Sequence, residues 1–106
     1  MTAEIHVGDI GTIFRYTFYD DGDILNIAAA TTLKGRFRRP DLSTFDVDLT
    51  LEGDGSDGIA IYTIIANDIN QAGSWKTQGF AVLPLGSWST DTHRFPVGDN
   101  IEIVEP

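Results

Sequence analysis

Cysteine is absent from all 106 residues. That removes disulfide frameworks, thiolate metal sites and thiol nucleophiles from consideration. Histidine occurs only at His6 and His93, too sparsely for an imidazole-rich zinc site. Positive charge is scarce as well: seven lysines and arginines stand against sixteen acidic residues, a net charge of −9. Such a balance repels phosphate backbones, so nucleic acid is not an expected partner, and the surplus carboxylates serve solubility. No apolar run reaches the length that a membrane-spanning helix needs. The opening MTAEIHVGDIGT has neither a basic n-region nor an apolar h-region. The expectation is a soluble chain made in a cytoplasm, with no membrane partner. Helical spacing of apolar residues is equally rare.

What is present is alternation. Hydrophobic residues make up 42% of the chain, enough to bury the core of a single domain covering residues 1–106. GTIFRYTFY, from Gly11, is rich in β-branched and aromatic residues. Its even positions Phe14, Tyr16 and Phe18 share one face. DDGD, from Asp20, is a turn, and ILNIAAATT, from Ile24, reads as a short extended piece (Ile24, Leu25, Ile27) followed at Ala28 to Ala30 by either a tight turn or one helical turn. Lys34–Arg39 and Phe45–Leu51 form the clearest hairpin, joined by PDLST. One register puts Arg38 opposite Asp46 and Arg36 opposite Asp48, with Phe37 against Val47 and Leu33 against Leu51 on the dry face. GIAIYTII (from Gly58), SWKTQGFAVL (from Ser74), WSTDTHRF (from Trp88) and NIEIV (from Asn100) read as further strands. ANDINQAG, from Ala66, is a connection with room for one helical turn. About seven strands with frequent turns predict an all-β fold, an antiparallel β-sandwich or small barrel. No linker, internal repeat or low-complexity tract interrupts it.

LEGDGSDGIAIYTI, from Leu51, resembles a calcium loop at first sight. An EF-hand needs oxygen ligands at alternate positions and a distant bidentate glutamate; Asp54 and Asp57 are three residues apart and no such glutamate follows. Gly53-Asp54-Gly55-Ser56-Asp57-Gly58-Ile59 satisfies much of the G-x-G-x-D-x-U pattern of calcium-binding β-helices. That motif works by stacking, and here it occurs once. Glycines supplying positive φ and aspartates making Asx turns account for the loop without an ion.

The remaining polar constellations read as surface. KGRFRR, from Lys34, is either a docking patch for an acidic partner or one strand of the hairpin neutralised by Asp46 and Asp48. The second reading is favoured, with Arg39 left unpaired. Ser87, Ser89 and Asp91 lie near His93, but neighbours along a strand alternate faces and do not make a triad. The pairs Asp20/Asp21 and Asp46/Asp48 sit in a turn and on a solvent face, without the converging cleft of a glycosidase. Trp75 is a core candidate. Trp88, flanked by Ser87, Ser89 and Thr90, suits either the core or an exposed sugar- or protein-binding spot.

Three stretches carry a resemblance. They are VGDIGTIFRYTFYDDGDILNIAAATTLKGRFRRPD, DGSDGIAIYTIIANDINQAGSWKTQGFAVL and GSWSTDTHRFPVGDNI. Together they resemble a family of small tailed-phage virion proteins related to the N-terminal domain of phage baseplate upper proteins. The shared pattern is a GD-x-GT start (Gly8 to Thr12), a D-I-S/A-x-A-T piece (Asn26 to Thr31), a K/R-P-D-G-T hairpin (from Arg39-Pro40-Asp41), a DG-x-x-Y strand (Asp57-Gly58 with Tyr62), a G-x-W-x-x-Q strand (Gly73 to Gln78) and a closing F-x-V (Phe95 to Val97). Asn26 replaces a frequent aspartate, and Leu42-Ser43 replaces the hairpin glycine.

The resemblance implies an immunoglobulin-like β-sandwich acting as a non-enzymatic structural part of a virion, with no catalytic residues, cofactor or metal. The expected partners are other virion proteins of the capsid, tail or baseplate, and several copies are expected in the particle. Longer family members continue into fibre or receptor-binding segments. A chain ending at Pro106 is expected to be a lone module, suited to capsid decoration, a head fibre or a baseplate. Expected contacts are the N-terminal segment with Glu4, His6 and Asp9, the hairpin loop with Arg39, Asp41 and Leu42, Trp88, and the last strand with Ile101 and Ile103. The alternative is a carbohydrate-binding or host-surface adhesin centred on Trp88. An enzyme using His93 is the least supported reading.

Overall fold

The computed structural model describes residues 5–98 and is all-β. Its strands are β1 (Ile5–His6), β2 (Ile13–Thr17), β3 (Tyr19–Asp20), β4 (Asp23–Ile24), β5 (Thr32–Arg38), β6 (Thr44–Asp48), β7 (Thr50–Leu51), β8 (Ile59–Thr63), β9 (Gly73–Leu83), β10 (Gly86–Ser89) and β11 (His93–Gly98). A larger sheet runs β1-β11-β9-β5-β6, with β10 also on β9. A smaller sheet runs β2-β8-β7, and β3 and β4 form a separate hairpin. The pairing is antiparallel except for β1, which lies parallel to β11. The strand reading NIEIV lies outside the described residues.

The two sheets enclose one core because alternate side chains turn inward. Phe14, Tyr16 and Phe18 are all buried, as alternation predicts. From the larger sheet come Phe37, Trp75, Thr77, Ala81, Phe95 and Val97. Phe14 meets Phe37 edge-on at 5.4 Å between centroids and lies 4.9 Å from Phe95, so aromatic contacts cross the gap between sheets. Gly35 and Gly79 stand directly opposite each other in the larger sheet. A Cβ on Gly79 would come within 3.1 Å of Phe18 and Tyr16, so the missing side chain makes room for the smaller sheet's aromatics.

Several expected pairings differ. The hairpin register is shifted by two residues: Arg36 faces Asp46, Lys34 faces Asp48, Phe37 faces Phe45 and Arg38 faces Thr44. The turn is the reason. The Leu42 amide donates to the Arg39 carbonyl at 2.9 Å, and the Arg39 amide to the Ser43 carbonyl at 2.8 Å. Leu42 has φ of 73°, so the loop is a type I turn closed by a left-handed residue, which dictates the pairing that follows. A two-residue shift keeps every side chain on its face, so Phe37 stays inside and stacks on Phe45 at 5.1 Å. The expected strand Phe45–Leu51 is also broken. At buried Leu49 the chain leaves the larger sheet for the smaller one, and Leu51 pairs with Ala60 instead of Leu33.

WSTDTHRF is likewise two strands. Both β10 and β11 pair with the same edge of β9, Ser89 opposite Phe80 and His93 opposite Thr77. Three residues, Thr90 to Thr92, therefore oppose two, Gln78 and Gly79, which makes a bulge. Thr90 fills the gap in the ladder. Its hydroxyl accepts the Gly79 amide at 2.9 Å and its carbonyl accepts the Gln78 side-chain amide at 2.7 Å. These breaks raise the strand count above the expected number. The connection from Ala66 contains turns and no helix.

Candidate interaction surface

The structure gathers His6, Asp9, Arg39, Asp41 and Leu42 at one end of the sandwich. Val7 and Gly8 turn the chain there: the Asp9 amide donates to the His6 carbonyl at 3.1 Å, and the Asp9 carboxylate accepts the His6 amide at 2.9 Å. Gly8, at φ 88°, holds the left-handed position such a turn needs. Its amide donates to the Ile69 carbonyl at 2.8 Å, tying this turn to the connection between β8 and β9. The same connection reaches the β5–β6 loop, where Gln71 donates to the Asp41 carboxylate at 2.8 Å. Glu4, Ile101 and Ile103 lie outside the described residues.

The β5–β6 loop is held from several sides. Asp41 accepts from the Ser43 amide and hydroxyl as well as from Gln71, and these bonds hold its carboxyl down at about 2. Arg39, expected to be unpaired, makes no ion pair among the described residues but is engaged. It donates to the Ser43 hydroxyl at 3.1 Å and lies 4.4 Å over the Phe45 ring, while its Nε is buried without a hydrogen-bond partner. Arg38, expected opposite Asp46, faces Thr44 instead and is exposed, with no ion pair among the described residues.

At the tip of this loop Leu42 is 72% exposed in the left-handed region. A residue with a Cβ loses roughly 1–2 kcal/mol in that conformation, which glycine avoids. Two further apolar side chains stand at the same end, Ile10 at 67% and Ile65 at 60% exposure. Sequence reading missed both. GIAIYTII reads as one apolar strand, yet β8 stops at Thr63 and the chain turns after buried Ile64, leaving Ile65 outside. The glycines flanking Ile10 closely and within two residues were the available signal.

The acidic loop after β7 forms turns. Asp54 accepts the Ser56 amide and hydroxyl, which lowers its carboxyl below the usual carboxylate range, and Asp57 accepts the Ile59 amide. Gly53, Gly55 and Gly58 all have positive φ. Among the described residues no three His, Asp or Glu side chains gather as a metal ion needs.

An open cleft of about 810 Å³ lies between β2 and the bulge joining β10 to β11, with Tyr16, Thr77, Thr90, Asp91 and His93 on its walls. Tyr16 and Thr77 are hydrogen-bonded to each other at 2.7 Å, and the Thr90 hydroxyl is held by the Gly79 amide and the Asp91 carbonyl. His93 stacks beside Phe95 at 6.2 Å. The hydroxyls of Tyr16, Thr77 and Thr90 are thus bonded within the fold. Trp75 is fully buried, its indole donating to the Gln71 carbonyl at 2.9 Å. Trp88 is half-buried beside Gly86, away from that cleft and from the Leu42 end. Comparison with protein-family models, curated proteins and solved structures finds no match to the chain.

Proposed function

We propose that the protein is a non-enzymatic assembly module of a tailed-phage virion, present in several copies and bound to other virion proteins through the end of the sandwich that carries Leu42. The observation that carries this reading is Leu42 itself. An apolar side chain is held in an unfavourable backbone conformation, exposed to water, on a loop braced by Asp41, Ser43 and Gln71. Strain that a single glycine would relieve is retained where the side chain has work to do outside its own fold. Exposed Ile10 and Ile65 extend the apolar contact, and a rim of His6, Asp9 and Asp41 gives it polar definition. The three motif-bearing stretches supply the virion context.

The test is incorporation. Tagged chain is supplied during infection, particles are banded, and the chain is detected by immunoblot. Wild type is expected in the particle band. Leu42→Lys, with an unchanged circular-dichroism spectrum, is expected to be lost from it. Absence of the wild type from particles would sink the proposal. A glycan array with Trp88→Ala as control separates the adhesin reading: binding that vanishes in the variant favours the adhesin.

A further inference from the structure

Strand register, not adjacency in sequence, brings Arg38 of β5, Lys76 of β9 and Arg94 of β11 directly opposite one another. Directly opposed residues share a face, and here it is the outer one, since Phe37, Trp75, Thr77 and Phe95 between them point inward. With strands about 5 Å apart, the three cations form a row about 10 Å long. None makes an ion pair among the described residues, whereas Lys34 and Arg36 on the same face are matched by Asp48 and Asp46. Like charges set opposite each other destabilise a sheet. In a chain of net charge −9, seven cations are few, and three stand together unmatched.

The complementary feature is the β3–β4 hairpin. Asp20 lies opposite Asp23, and Asp21 and Gly22 make the two-residue turn with φ of 52° and 88°, the positive-φ pair of a type I′ hairpin. All three carboxylates are exposed and without an ion pair among the described residues. The hairpin belongs to neither large nor small sheet, and its turn residues Asp21 and Gly22 stand at the mouth of the open cleft beside β2 with their outer side in solvent. Its flanking cross-strand pair, Tyr19 and Ile24, is 54% and 51% exposed.

We propose that the β3–β4 hairpin of one copy docks on the Arg38–Lys76–Arg94 row of another, three carboxylates against three cations. The contact joins two different surfaces, so it either repeats reciprocally in a closed pair or runs head to tail. It goes beyond the assembly reading and is independent of the Leu42 end: it concerns purified copies, so its failure leaves the incorporation test standing.

Sedimentation velocity of the full chain at low and high salt is the experiment. Association at low salt is expected, weakening as salt screens the charges. Lys76→Glu with Arg94→Glu is expected to weaken it at least about tenfold, and so is Asp20→Lys with Asp21→Lys. Mixing the two double variants is expected to restore association, because the native hairpin of the first meets the native row of the second and the reversed row meets the reversed hairpin. Melting curves report folding, and the milder Arg94→Gln and Asp23→Asn keep the same direction if a reversal disturbs it. A chain that stays monomeric at low salt overturns the proposal. So does association that survives both reversals. Loss on row reversal alone, with hairpin reversal neutral, also overturns it and assigns the row to a different anionic partner.

Discussion

The hydroxyls of Tyr16 and Thr77 lie 2.7 Å apart inside the core, a hydrogen bond that joins the smaller sheet to the larger one. Both side chains are buried, at 5% and 2% exposure. Removing one partner strands the other without water to replace it. Tyr16→Phe should therefore destabilise the protein by about 1–3 kcal/mol. Adding Thr77→Val should recover much of that loss, because both polar groups are then gone. Urea unfolding of the two single variants and the double variant measures the coupling.

The same tyrosine makes a pH prediction. Burial pushes the Tyr16 phenol up to about 12, against a smaller opposing effect of its bond to Thr77. A folded-state value above the unfolded one means that the stability is fully present below the unfolded value of 10.0 and is lost as pH rises toward about 12. Tyr62 is raised too, by burial and by its bond to Asp68, so wild type loses stability in alkali from two sites. Tyr16→Phe should flatten part of that decline. Thermal unfolding of both proteins across the alkaline range reads the difference.

Leu42 separates stability from function. Leu42→Gly removes the left-handed penalty and should stabilise the fold by about 1 kcal/mol. Leu42→Ala should bring no such gain, since alanine keeps the Cβ. If the exposed side chain serves a partner, the more stable glycine variant should also enter particles less well. Denaturant midpoints and the incorporation assay together check both halves.

Gly79 and Gly8 distinguish crowding from strain. A Cβ at Gly79 meets Phe18 and Tyr16 at 3.1 Å, while one at Gly8 meets nothing within 4 Å but sits at φ 88°. Gly79→Val should cost about 1–3 kcal/mol through overpacking. It should also alter near-ultraviolet signals from the neighbouring tyrosine. Gly8→Ala should cost about 1–2 kcal/mol from backbone strain alone and leave those signals unchanged.

The loop of Asp54 and Asp57 is held by Asx turns, so a chelator should leave the melting temperature unchanged. A fall of several degrees would show that the loop carries an ion. Gly58→Ala, by contrast, should destabilise the protein by more than about 1 kcal/mol, because a Cβ there lies 2.7 Å from the Leu25 carbonyl oxygen at φ 75°.

Side-chain alternation by itself determined the all-β class and the inward face of most strands, including Phe14, Tyr16, Phe18, Phe37 and Trp75. It could do so because period two is a local property that survives any choice of partner strand. Turn chemistry around Asp20, Pro40 and Asp54 was local as well. Only tertiary structure decided which strands pair and in what register. A left-handed Leu42 moved the β5–β6 ladder by two residues, Leu49 carried the chain from one sheet to the other, and a bulge at Thr90 split one apparent strand in two. The Arg38–Lys76–Arg94 row follows from those same long-range pairings. Its members are far apart along the chain, and nothing in a local pattern states which strand will lie beside which.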